Sequence, residues 1–147
     1  MPTHAEKRKS PHSAAEMYAL VEDVRRYPEF LPWCTGCRIR SQNDSEIVAD
    51  LLVGFKMVRE RFQSRVKLTP KDRIDVTYED GPFHYLNNHW IFIPEEDGGC
   101  TIDFFIDFEF RSKLLQKIME ALFSEAVRRM VGAFEERANE IYGPKSS

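Results

Sequence analysis

Trp33-Cys34-Thr35-Gly36-Cys37 has the Cys-x-x-Cys spacing of a dithiol redox centre. That chemistry needs its first cysteine at a helix N-terminus, where the helix dipole lowers the thiol pKa. Here Arg38-Ile39-Arg40-Ser41 follows with the pattern of a strand, and no βαβ unit surrounds the pair. A zinc site would need four ligands, and the spacing to Cys100, His84 or His89 does not suggest one. The expectation is three reduced thiols, no metal and no redox role. His4, His12, His84 and His89 form no His-Glu-x-x-His, His-x-His or Ser/His/Asp pattern. His84 follows Pro82-Phe83, a position suited to a cavity mouth, while His89 alternates away from Trp90 toward solvent or a neighbouring strand. No catalytic set emerges.

Asp103, Asp107 and Glu109 resemble paired carboxylates for acid/base work, but they alternate with an apolar face and so belong to the solvated one. General acid/base catalysis at raised pKa needs burial. Pairing with Lys7, Arg8 or Lys9 across strands is the simpler expectation. Basic residues cluster from Lys56 to Arg73, seven against two acids, whereas Ile74 to Glu109 holds nine acids and no Lys or Arg. Such an asymmetry steers anionic partners even at a net charge of −3. Balance by acids on adjacent strands is the alternative.

The elements that must position these residues are plain in the periodicity. Cys100–Phe110 sets Cys100, Ile102, Phe104, Ile106, Phe108 and Phe110 on one face, a strand over eleven residues. Tyr85–Ile93 does the same with Leu86, Asn88, Trp90 and Phe92, and Val58–Leu68 with Phe62, Ser64, Val66 and Leu68. With Cys37–Gln42, Glu46–Phe55 and Arg73–Tyr78 these predict an antiparallel meander of six strands, separated by turn signals such as Asn43-Asp44 and Asp80-Gly81-Pro82. From Ser112 to Tyr142 apolar residues recur at steps of three and four, an amphipathic helix capped by Ser112 and stopped by Gly143-Pro144. At the start, Ala5–Lys9 suggests an edge strand, Ser10-Pro11 the cap of a helix to about Val21, and Asp23–Phe30 a second short helix.

The 147 residues suit one domain spanning 1–147, with a core over about 3–142. Hydrophobic residues at 42% and charged residues at 31% exclude a disordered or membrane-spanning chain, and no apolar run approaches the roughly 20 residues of a membrane helix. No secretory h-region follows the basic N-terminus, and the odd cysteine count argues against disulfides. A cytoplasmic protein is expected, peripheral to the inner membrane at most, and monomeric. A half-apolar sheet and one long amphipathic helix bury each other in a two-layer α+β arrangement.

This order of elements resembles the helix-grip fold of START lipid-transfer domains: a curved antiparallel sheet wrapped around a long C-terminal helix, with two short helices after the first strand. The segments FLPWC (Phe30–Cys34), LLVGFKMVRERFQSRV (Leu51–Val66), FHYLNNHWIFIP (Phe83–Pro94) and CTIDFFIDFEF (Cys100–Phe110) resemble the coenzyme Q-binding START family. Its bacterial members are also labelled ribosome-association toxins. Cys37 departs from that pattern. The resemblance implies a non-enzymatic protein that holds ubiquinone or a similar lipid, requires no cofactor, and serves respiration or quinone biosynthesis. It also implies an alternative, a regulator that blocks association of ribosomal subunits. The cavity wall is then expected at Leu51, Val53, Phe62, Ser64, Val66, Asn88, Trp90, Phe92, Ile102, Phe104, Ile106 and Phe108. Leu115, Met119, Leu122 and Met130 would form the lid, and Pro28–Trp33 with the short helices the entrance. Ser64 and Asn88 interrupt the apolar face, and each is able to meet a quinone carbonyl or to satisfy a backbone group.

Overall fold

A computed structural model describes residues 3–31, 34–55 and 58–143. Pro32 and Trp33 of the expected entrance, Lys56 of the basic run and Pro144 of the helix stop lie outside them. The chain runs β1 (Thr3–Ser10), α1 (Ala14–Glu22), a 3₁₀ turn (Val24–Arg26) and α2 (Tyr27–Phe30). It continues through β2 (Cys34–Gln42), β3 (Glu46–Phe55), β4 (Val58–Thr69), β5 (Arg73–Asp80), β6 (Phe83–Pro94), β7 (Cys100–Phe110) and α3 (Lys113–Tyr142). The strands form one antiparallel sheet in the order β1-β7-β6-β5-β4-β3-β2. The meander is as expected, and β1 closes it by returning to β7, with Lys7 opposite Asp103.

Two expectations near the start are corrected. Ser10 ends β1, paired with Cys100, and Ser13 caps α1 instead. Ser13 forms a capping box with Glu16, which satisfies two otherwise orphaned N–H groups, something Ser10-Pro11 cannot do. The expected second helix divides into the 3₁₀ turn and the single turn of α2, with Pro28 in its first turn. The outer-face acids also find other partners. Asp103 lies 3.8 Å from His89, Asp107 accepts from the Thr3 hydroxyl at 2.9 Å, and Lys9 and Arg8 pair with Asp97 and Glu135.

Alternation puts Ile47, Ala49, Leu51, Phe62, Val66, Ile74, Trp90 and Phe104 on the concave face beneath α3. The helix spans about 45 Å at 1.5 Å per residue. Of its buried side chains Val127 stands at the midpoint, and Met130, Phe134 and Ala138 fall in its second half. In the first half Leu115, Met119 and Phe123 reach the core only in part. A straight helix over a bent sheet is held tightly along one half and loosely along the other, and that loose half leaves space.

The β5–β6 turn fixes a wall of that space. Gly81 has φ 144°, and a Cβ there would stand 2.8 Å from Phe62 Cβ and 3.0 Å from the Arg61 carbonyl. Gly81→Ala is expected to cost about 1–3 kcal/mol through strain and a displaced Phe62. Urea unfolding reads this directly; an unchanged midpoint would show that the turn relaxes freely.

Candidate functional site

Beneath α3 the concave face encloses two adjoining lobes. The apolar lobe, about 150 Å³, lies under the loose half of the helix between Val53, Phe83, Phe108 and Phe110 on the sheet and Met119, Phe123 and Val127 above. Among the described residues no polar side chain lines it. The second lobe, about 110 Å³, lies against α1 and α2, with Val21, Val24, Tyr27 and Leu31 facing Leu51, Ser64, Val66, Asn88, Trp90 and Phe104. We call it the serine lobe. Phe62, Leu86, Ile106 and Met130 border both lobes and form the partition between them.

Twelve of the sixteen residues expected from the alternation therefore line one lobe or both. The other four do not. Phe92 is fully buried and packs edge-on against Tyr18 of α1, with centroids 5.9 Å apart. Ile102 faces a separate void of about 30 Å³ between β1 and α3. Leu115 packs at the margin of the core, and Leu122 lines neither lobe. On α3 the facing stripe runs Met119, Phe123, Val127 and Met130, so the helix is rotated from the phase that placed Leu122 inward. The i, i+4 step from Met119 to Phe123 and Val127 is the signal that would have found it.

The polar atoms of the serine lobe are unequally engaged. Asn88 donates to the Phe105 carbonyl at 2.7 Å and accepts from Trp90 Nε1 at 3.1 Å. Tyr27 donates to the Val21 carbonyl, and burial raises its phenol far above the ordinary range. Ser64 is 1% exposed, and its hydroxyl has no partner among the described residues. His84 stands apart, on an external groove that it shares with Phe110 and the first turn of α3. His12 is buried beside Asn139, at 2.9 Å, far from either lobe's lining. Among the described residues no three His, Cys, Asp or Glu side chains are grouped to hold a metal.

The cysteines are free, and Cys34 and Cys37 lie on β2. Burial pushes the Cys34 and Cys100 thiols up to about 11 and raises Cys37 as well. A reactive dithiol requires the opposite shift. Two pH units above an ordinary thiol hold the thiolate fraction about a hundredfold lower at pH 8. Cys34 and Cys100 are therefore expected to react with a thiol reagent slowly in the native state, with a rate climbing toward pH 11, and at once on unfolding. Fast native labelling of either at neutral pH would contradict their burial.

Residues 10–135 match the family model for polyketide cyclase / dehydrase and lipid transport proteins. The chain belongs to this family. The ribosome association toxin RatA of Rickettsia prowazekii is 38% identical, over 89% of this chain and 92% of its own. The mitochondrial coenzyme Q-binding protein COQ10 homolog B of Xenopus laevis is also 38% identical, over 89% of this chain and 55% of its own. A START superfamily protein of Mycobacterium smegmatis has the same fold, with a TM-score of 0.81 at 18% identity, covering 95% of this chain and 98% of its own. So does the Zhui aromatase/cyclase of Streptomyces sp. R1128, with a TM-score of 0.83 at 16% identity, covering 94% and 93%. The helix-grip, START-like fold expected from the sequence is the fold observed. No helix among the described residues of this family member is long and apolar enough to cross a membrane.

Proposed function

We propose that this protein is a non-enzymatic carrier of a hydrophobic small molecule, ubiquinone first among the candidates, serving respiration or quinone biosynthesis. The observation that carries the reading is the two-lobed, almost wholly apolar cavity between the sheet and α3. A ligand chain gains about 0.8 kcal/mol for each CH₂ it buries there, and few polar contacts are needed. The name of the frog relative, a coenzyme Q-binding protein, supports the choice of ligand. Neither lobe's lining contains a His, Asp, Glu or Cys side chain, which favours carriage over cyclase chemistry among the described residues. The test is mass spectrometry of the organic extract of protein purified from a quinone-producing host. Near-stoichiometric ubiquinone is expected; a protein that is empty and takes up no added quinone would refute the assignment.

A second reading, a regulator acting on ribosomal subunits, is favoured by the outer face of β2–β4 and by the name of the Rickettsia relative. Arg40 and Arg61 both approach the buried Asp50, at 2.6 and 3.5 Å. Arg38 and Arg59 are exposed on the same face, and among the described residues no carboxylate pairs with either. Arg65, by contrast, is neutralised by Glu46 and Glu79. One acid among four arginines leaves a positive patch suited to phosphates. This reading requires salt-sensitive cosedimentation with ribosomal subunits that is lost in R59E/R61E; no binding at low salt would remove it.

A further inference from the structure

We infer that Ser64 is the polar anchor of a ligand that lies head-inward, with a ring carbonyl or hydroxyl in the serine lobe and its hydrocarbon chain in the apolar lobe. The inference rests on the lipid-carrier reading and adds the ligand's orientation and its required chemistry. Ser64 sits on the concave face of β4, opposite Ala49 of β3, beside the register shift at Gln63/Ser64 in the pairing with β5. A serine at such an irregularity commonly turns its hydroxyl to a freed backbone group, and here it does not. The neighbouring polar groups are already committed: Asn88 to Phe105 and Trp90, and Tyr27 to Val21. Ser64 Oγ therefore remains as a buried hydroxyl on a lobe wall with nothing among the described residues to bond.

A wholly hydrocarbon occupant would leave that hydroxyl unpaired, which is costly in an apolar site. A ligand oxygen restores the bond. Among the described residues the wall of the apolar lobe offers no such partner, so a polar head placed there would be desolvated without return. The two linings thus assign the two ends of an amphiphile. Each lobe alone is smaller than the few hundred Å³ of a usual small-molecule site, so head and chain must straddle the partition at Phe62, Leu86, Ile106 and Met130.

Trp90 lines the serine lobe and reports on what enters it. The chain has two tryptophans, Trp33 and Trp90, and the unmodified protein carries both as reporters. Wild-type protein is titrated with a short-chain ubiquinone, whose electron-poor ring quenches indole emission on contact, and then with a ringless isoprenoid hydrocarbon as competitor. Quenching by the quinone is expected. S64A should weaken quinone affinity roughly three- to tenfold, the range of one hydrogen bond, and leave the hydrocarbon's affinity unchanged. S64T, which keeps a hydroxyl, should retain most of the quinone affinity. Equal quinone affinity in S64A, or equal losses for quinone and hydrocarbon, would overturn the anchor while leaving the carrier reading intact. Failure of the wild-type protein to bind either probe would overturn both.

Discussion

Met130→Trp is expected to abolish quinone uptake, lowering affinity at least about a hundredfold, while the protein remains folded. Met130 is buried on α3 and borders both lobes. The thioether chain is unbranched and has three rotatable bonds, so among the four partition residues it yields most readily to a ligand crossing from one lobe to the other. An indole at that position fills the passage with a rigid ring. Overpacking of this kind costs about 1–3 kcal/mol, which a domain of ordinary stability survives. Met130→Ala removes the partition from the other side. It should merge the lobes and admit bulkier lipids, at a stability loss of about 2–5 kcal/mol. Uptake by both variants is measured with the same fluorescence titration, and folding by circular dichroism. Normal uptake by Met130→Trp would mean that no ligand crosses the partition, and the straddling arrangement would be wrong.

Much of this architecture was legible because alternation is local. Cys100, Ile102, Phe104 and Phe108 announce β7 without reference to anything else in the chain, and burial follows their pattern. Helix phase is less secure. Leu122 and Phe123 are adjacent apolar residues, and which one faces the sheet is decided by the packing of Val127, Met130 and Phe134 further along α3. The wall supplied by Val21, Val24, Tyr27 and Leu31 was legible only as an entrance formed by the short helices and Pro28–Trp33, because its residues depend on where α1 and α2 dock after a change of direction. The polar pair shows the same limit. Ser64 and Asn88 are equivalent as sequence, and only the register of β6 against β7 brings Asn88 to the Phe105 carbonyl and leaves Ser64 unbonded. The basic run was legible as composition, yet Arg65 is silent within it because Glu46 and Glu79 flank it across the sheet.

Phe134→Ala is expected to be the most destabilising substitution outside the sheet, at about 3–5 kcal/mol. Phe134 is buried and meets three other rings edge-on: Tyr27 at 5.5 Å, Phe30 at 5.2 Å and Trp90 at 5.1 Å. Each such pair adds about 0.5–1.5 kcal/mol beyond the area buried, and the cavity left by truncation adds its own cost. At about 2–4 °C per kcal/mol for a chain of this size, melting should fall by roughly 6–20 °C. Leu114→Ala, on the exposed first turn of α3, is the control and should change stability by under about 0.5 kcal/mol. A drop of only a few degrees in Phe134→Ala would mean that the ring cluster does not hold the helix. The cluster matters to function because it fastens only one half of α3. Phe134 and Ala138 anchor that half to the sheet and the short helices, while Met119 and Phe123 cover the apolar lobe with partial contacts. Elements with few buried contacts open at lower free energy than the core they adjoin. For the proposed carrier this makes the first half of the helix the expected point of entry, with the second half fixed. In Phe134→Ala both halves loosen, and the variant is expected to lose bound lipid faster than wild type at a temperature where both remain folded.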